Sequence, residues 1–572
     1  MSQPASRSAG WWMYHGDAQH SGFVDASPIN AGNAGKLHVW KELQLGGPVL
    51  STPAIVDGFV YVGIANAHAA ARSNGGALYK IALETGEVVA TYRWDIPASE
   101  GDSHGFCGMG STPAVSGGRV FFSAFNGKLY CLDQASLAEI WVTDLRHADL
   151  PHNQPADNVL GMDSVRPPPA VAGWSSPVVV GDQVYVGMGE GENPYAFGFV
   201  YCLDAATGNV VWLFCTNQFA RDKANLPNHV PAGIVNRTPP PGFTLVDASP
   251  VTMGCSVWGG IAHDDGLGRL YCPTGNPSPD QPLPAPGYSN GLLVLEAKTG
   301  SFVGFVQFPP ESSYRPSDID VDVGGSPTLF TDHNGRRLVA LGCKNGGFMT
   351  IDASTLEIVK LRQLLPYAAG SPGEQFPAID PHLPSDTPPD QQNEIDPHLT
   401  NEQSNSKHSQ GENYTGTYST AAVHPGLRRL FIGVGGKNYG TVSPGIDGDT
   451  TPFLRAMDWA TLNDAWPMDD GRPPRYVNGR PPFYTNATES GLAVPAVVND
   501  VVLMSTTGIG VYAFAAEDGR LLWQDQLGAE TGGFNGGYGY CMGPAVWDEY
   551  VVAGALVYGR DGGILRIYRL GQ

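Results

Sequence analysis

The sequence predicts an all-β protein, an eight-bladed propeller closed by its own N-terminal strand. Two recurring sequence patterns predict this fold. One is a hairpin, strand then Thr-Gly or Asp-Gly turn then strand, as in GKLYCLD from Gly127, GFVYCLD from Gly198 and GVYAFAAEDGRLLW from Gly510. The other is a small-Pro step leading into an alternating apolar run, as in STPAIVDGFVYVG from Ser51 and STPAVSGGRVFFS from Ser111. Repeats at a near-constant period indicate one supersecondary unit that is used many times.

Each upstream run pairs with the next hairpin to make one blade. The predicted blades lie near residues 48–94, 110–145, 174–216, 255–309, 324–364, 418–467, 490–527 and 538–572. Because the last segment lacks a full outer hairpin, we expect residues 37–45 (LHVWKELQL) to supply its missing strand and so remove the open sheet edge. The chain is therefore predicted to be a single propeller domain over residues 1–572.

Composition supports a turn-rich β-protein and limits its partners. The 572 residues include 74 Gly and 47 Pro, as expected for many turns and few long helices. The formal net charge of -22 argues against binding to nucleic acid or to an anionic membrane surface. No stretch approaches the roughly 20 apolar residues of a membrane span. A long, polar, Pro-rich insertion at 366–414 is predicted to be a lid over the axial funnel or a surface insertion, and both alternatives stay open.

Cysteines and the N-terminus carry less information. The eight cysteines include no C-x-x-C pair, so the sequence predicts neither a zinc knuckle nor a C-x-x-C-H haem site. We expect most of them to be small buried hydrophobic residues on strands. The N-terminal MSQPASRSAGWW has no apolar core of a signal peptide, which fits a cytoplasmic protein or a mature form that begins at a start Met.

The functional signal lies in residues 256–327, with SVWGG, CPTGNPSP and SDIDVDVGGSP, and in LGCKNGGFMTID at 341–352. These motifs resemble the PQQ-dependent (quinoprotein) alcohol dehydrogenases, eight-bladed propellers with PQQ-type repeats that hold pyrroloquinoline quinone (PQQ) and calcium on the axis. The D-x-D-x-G-x-S-P run is most similar to polyvinyl-alcohol-dehydrogenase-like members. The resemblance implies PQQ and Ca²⁺ as cofactors, a small-molecule or polymeric alcohol as substrate, and a periplasmic or secreted location. Because the chain has no haem motif, an external electron acceptor is expected.

The resemblance assigns the residues that contact the quinone. Trp258 stands 18 residues before Asn276, the family's spacing between its quinone-stacking tryptophan and a calcium-ligand asparagine. Lys344, with Asn345, matches the start of the fifth blade, where the family's Lys or Arg contacts the quinone oxygens. Plainer interpretations stay open: Trp258 as a tryptophan that docks one blade on the next, Asn276 as a turn former, and Lys344 as a surface turn lysine.

The resemblance also assigns the acids. Asp320 matches the family's catalytic base and is expected to bind calcium, and Asp322 is its partner carboxylate. Asp318 alternates with both, so a solvated acidic edge is the alternative interpretation. The remaining calcium ligand should be a glutamate in the third blade, where we prefer Glu192 over Glu190.

The chain also departs from the family pattern. It has no vicinal Cys-Cys pair, its second blade has no recognisable quinone-contacting Arg, and Leu50 stands where a Glu is expected. The preferred hypothesis is an enzyme that transfers a hydride from an alcohol to PQQ, with calcium as Lewis acid and an aspartate as base. Two alternatives remain, a propeller enzyme that has lost the quinone and does non-redox chemistry in the axial funnel, and a BamB-like binding scaffold.

Overall fold

The computed structural model describes residues 10–66, 75–95, 107–145, 173–189, 198–216, 255–275, 288–308, 323–344, 347–364, 415–416, 419–436, 454–466, 493–505, 510–526, 543–555 and 563–572. Within these ranges, eight antiparallel sheets follow one another along the chain. We number them blades 1 to 8. The insertion at 366–414 lies outside the described residues.

Blades 1 to 4 each place four strands in chain order, from the innermost strand at the axis to the outermost. Blade 1 comprises Ala54–Val56, Phe59–Asn66, Gly75–Ala82 and Val88–Asp95, with Cys107–Gly108 added beside its second strand. Blade 2 comprises Ala114–Ser116, Arg119–Ser123, Lys128–Asp133 and Glu139–Asp144. Blade 3 comprises Val178–Val180, Gln183–Met188, Phe199–Asp204 and Val210–Cys215. Blade 4 comprises Ala262–Asp264, Arg269–Pro273, Gly291–Glu296 and Phe302–Gln307.

Blades 5 to 8 keep this order with local variations. Blade 5 comprises Thr328–Thr331, Arg337–Gly342, Gly347–Asp352 and Ile358–Gln363. The described strands of blade 6 are Ala422–His424, Arg429–Gly433 and Leu454–Asp458, beside a short pair, Thr415–Gly416 with Gly435–Gly436. Blade 7 comprises Ala496–Val498, Val501–Ser505, Gly510–Ala515 and Leu521–Gln526, and Phe23–Val24 runs parallel to its innermost strand. Blade 8 comprises Ala545–Trp547, Tyr550–Ala555, Ile564–Leu570 and the N-terminal strand Leu37–Gln44.

The ring is closed by pairing the two ends of the chain, as predicted. Leu37–Gln44 runs antiparallel to Ile564–Leu570 and completes blade 8. The Arg566 guanidinium donates to Glu42, 2.8 Å away on the N-terminal strand, and to Asp525, 2.6 Å away on the outer strand of blade 7. These carboxylates raise the pKa of Arg566, against the opposing effect of burial. Closure therefore also fastens blade 8 to blade 7.

Neighbouring blades are joined by a repeated tryptophan contact. Trp141, on the outer strand of blade 2, donates its indole N–H to the carbonyl of Ala205 in the next blade, at 3.1 Å. Trp212 makes the same bond to the carbonyl of Ala297, at 3.0 Å. The turn of blade 3 has glycine where the Trp141 ring packs against it, because a Cβ on Gly208 would come within 2.6 Å of that ring.

Where the outer strand carries a small residue, the side chain that fills the gap between blades comes from the turn of the next blade. Gly304 stands on the outer strand of blade 4 at the position that Trp212 holds in blade 3. The facing turn of blade 5 then carries Leu356, in the left-handed region at φ 64°. Leu137 and Leu462 hold this position in blades 2 and 6, whereas blades 1, 3, 4 and 7 have glycine there. Its side chain packs against Gly304. The gap between blades is thus filled either from the strand or from the turn.

Residues 10–24, here called the axial segment, join the innermost strands to one another. Its carbonyls accept backbone hydrogen bonds of 2.7–2.9 Å from blades 1, 2, 4, 5, 6 and 7, in each case from the second residue after the proline of the small-Pro step or after its equivalent. The donors are Ile55, Val115, His263, Leu329, Val423 and Val497. The ring of blades is therefore built around a segment that is remote from most of it in sequence.

The described interior is otherwise conventional. Cys131 and Cys202 hold equivalent positions, each buried and free, and burial raises the pKa of both thiols to about 12, which makes them unreactive. The helical content of the described ranges is one 3₁₀ turn, Ala34–Lys36. No described helix has the length and apolar character needed to cross a membrane.

Replacement of Gly208 with alanine tests the blade contact. Gly208→Ala places a Cβ against the Trp141 ring and forces alanine into a left-handed conformation at φ 72°. We expect a loss of about 2–5 kcal/mol in the free energy of unfolding, from overpacking and backbone strain together. Gly268→Ala is the matched control, because Gly268 has φ 65° with no atom within 4 Å of the added Cβ, so about 1–2 kcal/mol is expected. Equal losses in urea unfolding would refute the packing explanation.

Candidate functional site

One repeat position surrounds the axis just above the innermost strands. It lies four residues before the first residue of each innermost strand, and we call its occupants the collar. In blades 1 to 5 the collar residues are Leu50, Gly110, Trp174, Trp258 and Gly324. In blades 1, 2, 4 and 5 the collar residue and the residue that bonds the axial segment stand on opposite sides of the small-Pro step, or of its equivalent in blade 4. The collar therefore faces the end of the axis that the axial segment does not occupy.

Two sequence-predicted residues meet at this collar. The Lys344 ammonium lies over the Trp258 ring, 4.9 Å from its centroid, in cation–π geometry. Both side chains are partly exposed. Gly324 makes the approach possible, because a Cβ there would lie 3.3 Å from both Trp258 and Lys344. Trp258 precedes an innermost strand, whereas the tryptophans that dock blades on one another lie on outer strands or just beyond the third strand of blade 6.

The predicted ligands and acids lie outside the described residues. This applies to Glu192, Asn276, Asp320, Asp322 and Asn345. Within the described part of the chain, no group of three His, Cys, Asp or Glu side chains is arranged to hold a metal ion. The assignments of these five residues stay predictions.

The described backbone beside those residues does converge on Trp258. Hydrogen bonds hold three residues on or next to segment 256–258: Met188, four residues before Glu192, Gly275, just before Asn276, and Val323, just after Asp322. The bonds run from Val257 N–H to the Met188 carbonyl (3.3 Å), from Gly275 N–H to the Ser256 carbonyl (2.8 Å) and from Val323 N–H to the Thr274 carbonyl (3.4 Å). Segments from blades 3, 4 and 5 therefore begin or end at one place.

A network of hydroxyl groups connects the axial segment to the backbone near Trp258. The Tyr14 hydroxyl, in the axial segment, hydrogen-bonds with Thr420 Oγ1 at 2.8 Å. Thr420 Oγ1 also accepts from Ser326 N–H, and Ser326 Oγ accepts from Gly260 N–H at 2.7 Å. Burial raises the pKa of Tyr14, so its hydroxyl stays protonated. Gly260 and Ser326 each lie two residues after a collar residue. Sequence reasoning missed this network, although small hydroxyl residues recur in the small-Pro steps.

His20 is a buried, neutral part of the same support. Its Nδ1 lies 2.9 Å from the Pro327 carbonyl, which can only accept, so Nδ1 carries the proton. Its Nε2 is buried and has no hydrogen-bond partner among the described residues. Burial is the largest cause that lowers the pKa of His20 to about 3, followed by the charge of nearby His15. Protonation of the His20 ring would therefore destabilise the folded protein.

The collar has a second half with different chemistry. Leu50 is 4% exposed and packs with Ala65 and Phe125, and Trp174 lies against this cluster. The rings of Phe125 and Trp174 meet edge to face, with centroids 4.5 Å apart. Leu50, which stands where the family pattern predicts a Glu, is thus part of an apolar cluster that spans blades 1 to 3.

A family model described as glucose/ethanol/alcohol dehydrogenase, beta-propeller domain, with PQQ as its short name, matches residues 149–450, more than half of the chain. The chain belongs to this PQQ propeller family. A second model, outer membrane protein assembly factor BamB, matches residues 37–214 of this PQQ-family propeller. Family membership confirms the resemblance predicted from residues 256–352, while the polyvinyl-alcohol subgroup stays a prediction.

Curated relatives of this PQQ-family propeller match at modest identity. The dehydrogenase subunit of the quinone alcohol dehydrogenase of Komagataeibacter europaeus is 26% identical over 369 residues, covering 61% of this chain and 45% of the relative. The quinohemoprotein alcohol dehydrogenase of Comamonas testosteroni is 23% identical over 377 residues, covering 63% and 47%. The chain thus spans about half the length of the curated relatives it matches.

Solved structures share the fold. The structure of the Comamonas testosteroni quinohemoprotein alcohol dehydrogenase matches with a TM-score of 0.64 at 17% identity, over 99% of this chain and 81% of that one. A europium-containing methanol dehydrogenase matches with a TM-score of 0.64 at 17% identity, over 98% of each chain. These likenesses confirm the predicted eight-bladed propeller.

Titration of His20 tests its role in the support. Because the folded-state pKa is about 3 and the ordinary value is 6.5, the unfolded chain binds a proton that the folded chain refuses. Stability from this group is fully present above pH 6.5 and is lost as the pH falls toward 3, by up to about 1.4 kcal/mol per pH unit. His20→Asn keeps a donor for Pro327 without this titration, so its unfolding free energy should fall less between pH 6.5 and 4.5. The matched control is His333→Asn, at an exposed turn, and an identical pH profile for His20→Asn and wild type would contradict the assignment.

Proposed function

We propose that the protein is a PQQ-dependent alcohol oxidoreductase whose reaction takes place above the collar. The observation that carries the proposal is the Trp258–Lys344 pair, an aromatic face under a cation at the open end of the axis. A pure binding scaffold of the BamB-like kind does not need this pair. Family membership and the named relatives support the same class of enzyme.

The residues present fit the quinone end of PQQ. A partly exposed indole face suits a planar ring system, and offset stacking adds about 0.5–1.5 kcal/mol beyond burial. The Lys344 ammonium would stabilise negative charge that develops on quinone oxygens. The fit is limited at Leu50, Gly110 and Trp174, because these collar residues offer no charged group to a carboxylate.

The remaining roles follow the predicted assignments. Glu192, Asn276 and Asp320 would supply oxygen ligands to Ca²⁺, a hard cation that polarises a carbonyl as a Lewis acid. Asp320 would accept the proton of the substrate hydroxyl, with Asp322 orienting it and Asn345 adding a polar contact to the cofactor. PQQ, when bound, supplies the acceptor for the hydride that leaves the alcohol carbon. The fixed backbone of segments 256–258, 274–275 and 323–324 supports these roles, since it brings three blades to one place.

The partners follow from the same chemistry. The substrate is a small or polymeric alcohol, and electrons pass to an external acceptor, because the chain has no C-x-x-C-H motif. The family likeness favours a periplasmic or secreted enzyme. Apolar collar residues favour the second candidate function, a non-redox enzyme that uses the same funnel, should the quinone fail to bind.

Reconstitution tests the proposal. Purified protein incubated with PQQ and Ca²⁺ should acquire a stoichiometric visible chromophore and reduce a dye in the presence of alcohol. Asp320→Ala should lose at least about 10²–10⁴-fold in kcat, the usual contribution of a general base. Lys344→Met should weaken PQQ binding, and Lys344→Arg should retain most of it.

Asp318→Asn is the matched control for Asp320, since both carboxylates lie in the same alternating run. A loss of turnover in Asp318→Asn but not in Asp320→Ala would show that the register is wrong. Failure of the wild type to bind PQQ at high micromolar concentration would refute the quinoprotein function and leave the non-redox alternative.

A further inference from the structure

His15, in the axial segment, has a pair of hydrogen-bonding partners that a neutral histidine cannot satisfy. Its side chain is buried, with 0% exposure. Its Nδ1 lies 2.7 Å from the His20 carbonyl oxygen, and its Nε2 lies 2.8 Å from the Pro495 carbonyl oxygen. A carbonyl oxygen carries no proton, so it can only accept a hydrogen bond. Both ring nitrogens of His15 therefore face an acceptor.

These two contacts distinguish the protonation states of the ring. A neutral imidazole has one N–H and one nitrogen with a lone pair, so it can donate to only one of the two carbonyls. The other carbonyl would then lie 2.7 or 2.8 Å from a lone pair, inside the protein and without a hydrogen bond between them. The imidazolium has two N–H groups and satisfies both carbonyls, and its charge strengthens both bonds.

The axial segment also supplies an opposite charge. Burial lowers the pKa of His15, whereas its two carbonyl partners and the Asp17 carboxylate raise it. Asp17 is fixed in the same loop, because its carboxylate accepts hydrogen bonds from the backbone N–H groups of Gln19 and Ser21 and from Ser21 Oγ. Two carbonyls and one carboxylate therefore favour the charged ring, against the effect of burial alone.

None of the other neighbours shown beside the His15 ring brings a competing cation. The Tyr14 ring lies 6.0 Å away between centroids, and burial raises the pKa of its hydroxyl, so it stays uncharged. Burial and then the charge of His15 lower the pKa of His20 to about 3, so His20 is neutral. Blade 7 brings Pro495 and blade 6 brings Ala422 to this place, and neither carries a charge.

The two bonds of His15 attach the axial segment at two places. The Nδ1 bond closes the loop 15–22, which Gly22 N–H also closes by donating to the His15 carbonyl at 3.0 Å. The Nε2 bond ties this loop to Pro495, two residues before Val497, whose N–H donates to the Gly22 carbonyl at 2.7 Å. Gly22 is required there, because a Cβ would lie 2.4 Å from His15 Nε2.

We infer that His15 is a buried imidazolium, and that its second proton controls how firmly the axial segment is attached to blade 7. When the pH rises and this proton is lost, one of the two carbonyls loses its donor and the attachment weakens. The fold thus contains a pH-sensitive contact at its axis. This inference does not depend on the quinone or on the proposed reaction.

NMR of protein with ¹⁵N-labelled histidine tests the protonation state directly. The two ring nitrogens of an imidazolium have similar ¹⁵N shifts, whereas the unprotonated nitrogen of a neutral ring has a distinct one. The His15 signals are identified among the 14 histidines by their loss in His15→Gln. We expect both nitrogens to be protonated at pH 6.5 and to titrate with a midpoint above 6.5, the ordinary pKa of histidine. A midpoint below 6.5 would overturn the inference.

Unfolding against pH provides a second readout. If the folded chain holds a proton that the unfolded chain releases, the stability from His15 is fully present below pH 6.5 and is lost as the pH rises through the folded-state value. His15→Gln keeps a donor but does not titrate. The ratio of its unfolding equilibrium constant to that of the wild type should therefore fall by up to about tenfold per pH unit above 6.5.

His333→Gln, at an exposed turn of blade 5, is the control, and its ratio to the wild type should stay nearly constant with pH. Should His15→Gln fail to fold, His15→Asn replaces it in both experiments, because asparagine tolerates the left-handed conformation of His15 at φ 54°. A ratio that stays constant or grows as the pH rises would show that the folded chain does not hold the second proton, and the inference would fail.

Discussion

Successive blades are held together by one recurring hydrogen bond, which the described residues show at blades 2, 3, 4, 5 and 7. The acceptor is the carbonyl of the residue that follows the third strand, in the turn before the outer strand. Trp141 and Trp212 reach this carbonyl in blades 3 and 4, and Lys80 reaches that of Gln134 in blade 2, at 2.9 Å. In blade 5 the carbonyl of Ala353 accepts from the Tyr271 hydroxyl at 2.8 Å. Each of these five interfaces supplies a donor, whatever its residue type, because a carbonyl without a partner costs about 1–3 kcal/mol where it is buried.

This constraint explains how regular the collar is despite varied blade sequences. Once each turn is held by the preceding blade, the small-Pro steps stand at equal positions around the axis. The collar residues, four positions before the innermost strands, are then brought to equivalent places around the axis by the backbone alone. The site needs only the choice of side chain at each collar position, together with the loop residue two past the second strand. The same repeated backbone can therefore carry apolar side chains in some blades and a cationic side chain in another.

Most of the fold could be predicted from the sequence, because hairpin turns and small-Pro steps are local signals. The closing strand at residues 37–45 followed from one missing strand in the last blade. The inverted contact at Leu356 could not be predicted, because leucine at φ 64° contradicts the usual preference for glycine and depends on Gly304 in another blade. At the site, Trp258 and Lys344 were found by their motifs. Trp174 and Phe125 hold the repeat positions of Trp258 and Lys344, but they form apolar packing between blades 2 and 3, so equivalent positions do not share one role.

The axial segment has a consequence for synthesis of the protein. Residues 10–24 are made before any of the blades, yet their hydrogen-bonding partners extend to Val497, and the strand at Leu37–Gln44 pairs with Ile564–Leu570 in the last blade. Such distant pairings are slow to form, because the loop between them must be closed before any contact stabilises it. The nascent chain therefore carries an unsatisfied axial segment and an unpaired strand until blade 8 has been made. Completion of the ring must wait for the synthesis of blade 8, and until then the early blades are exposed to mispairing with other chains.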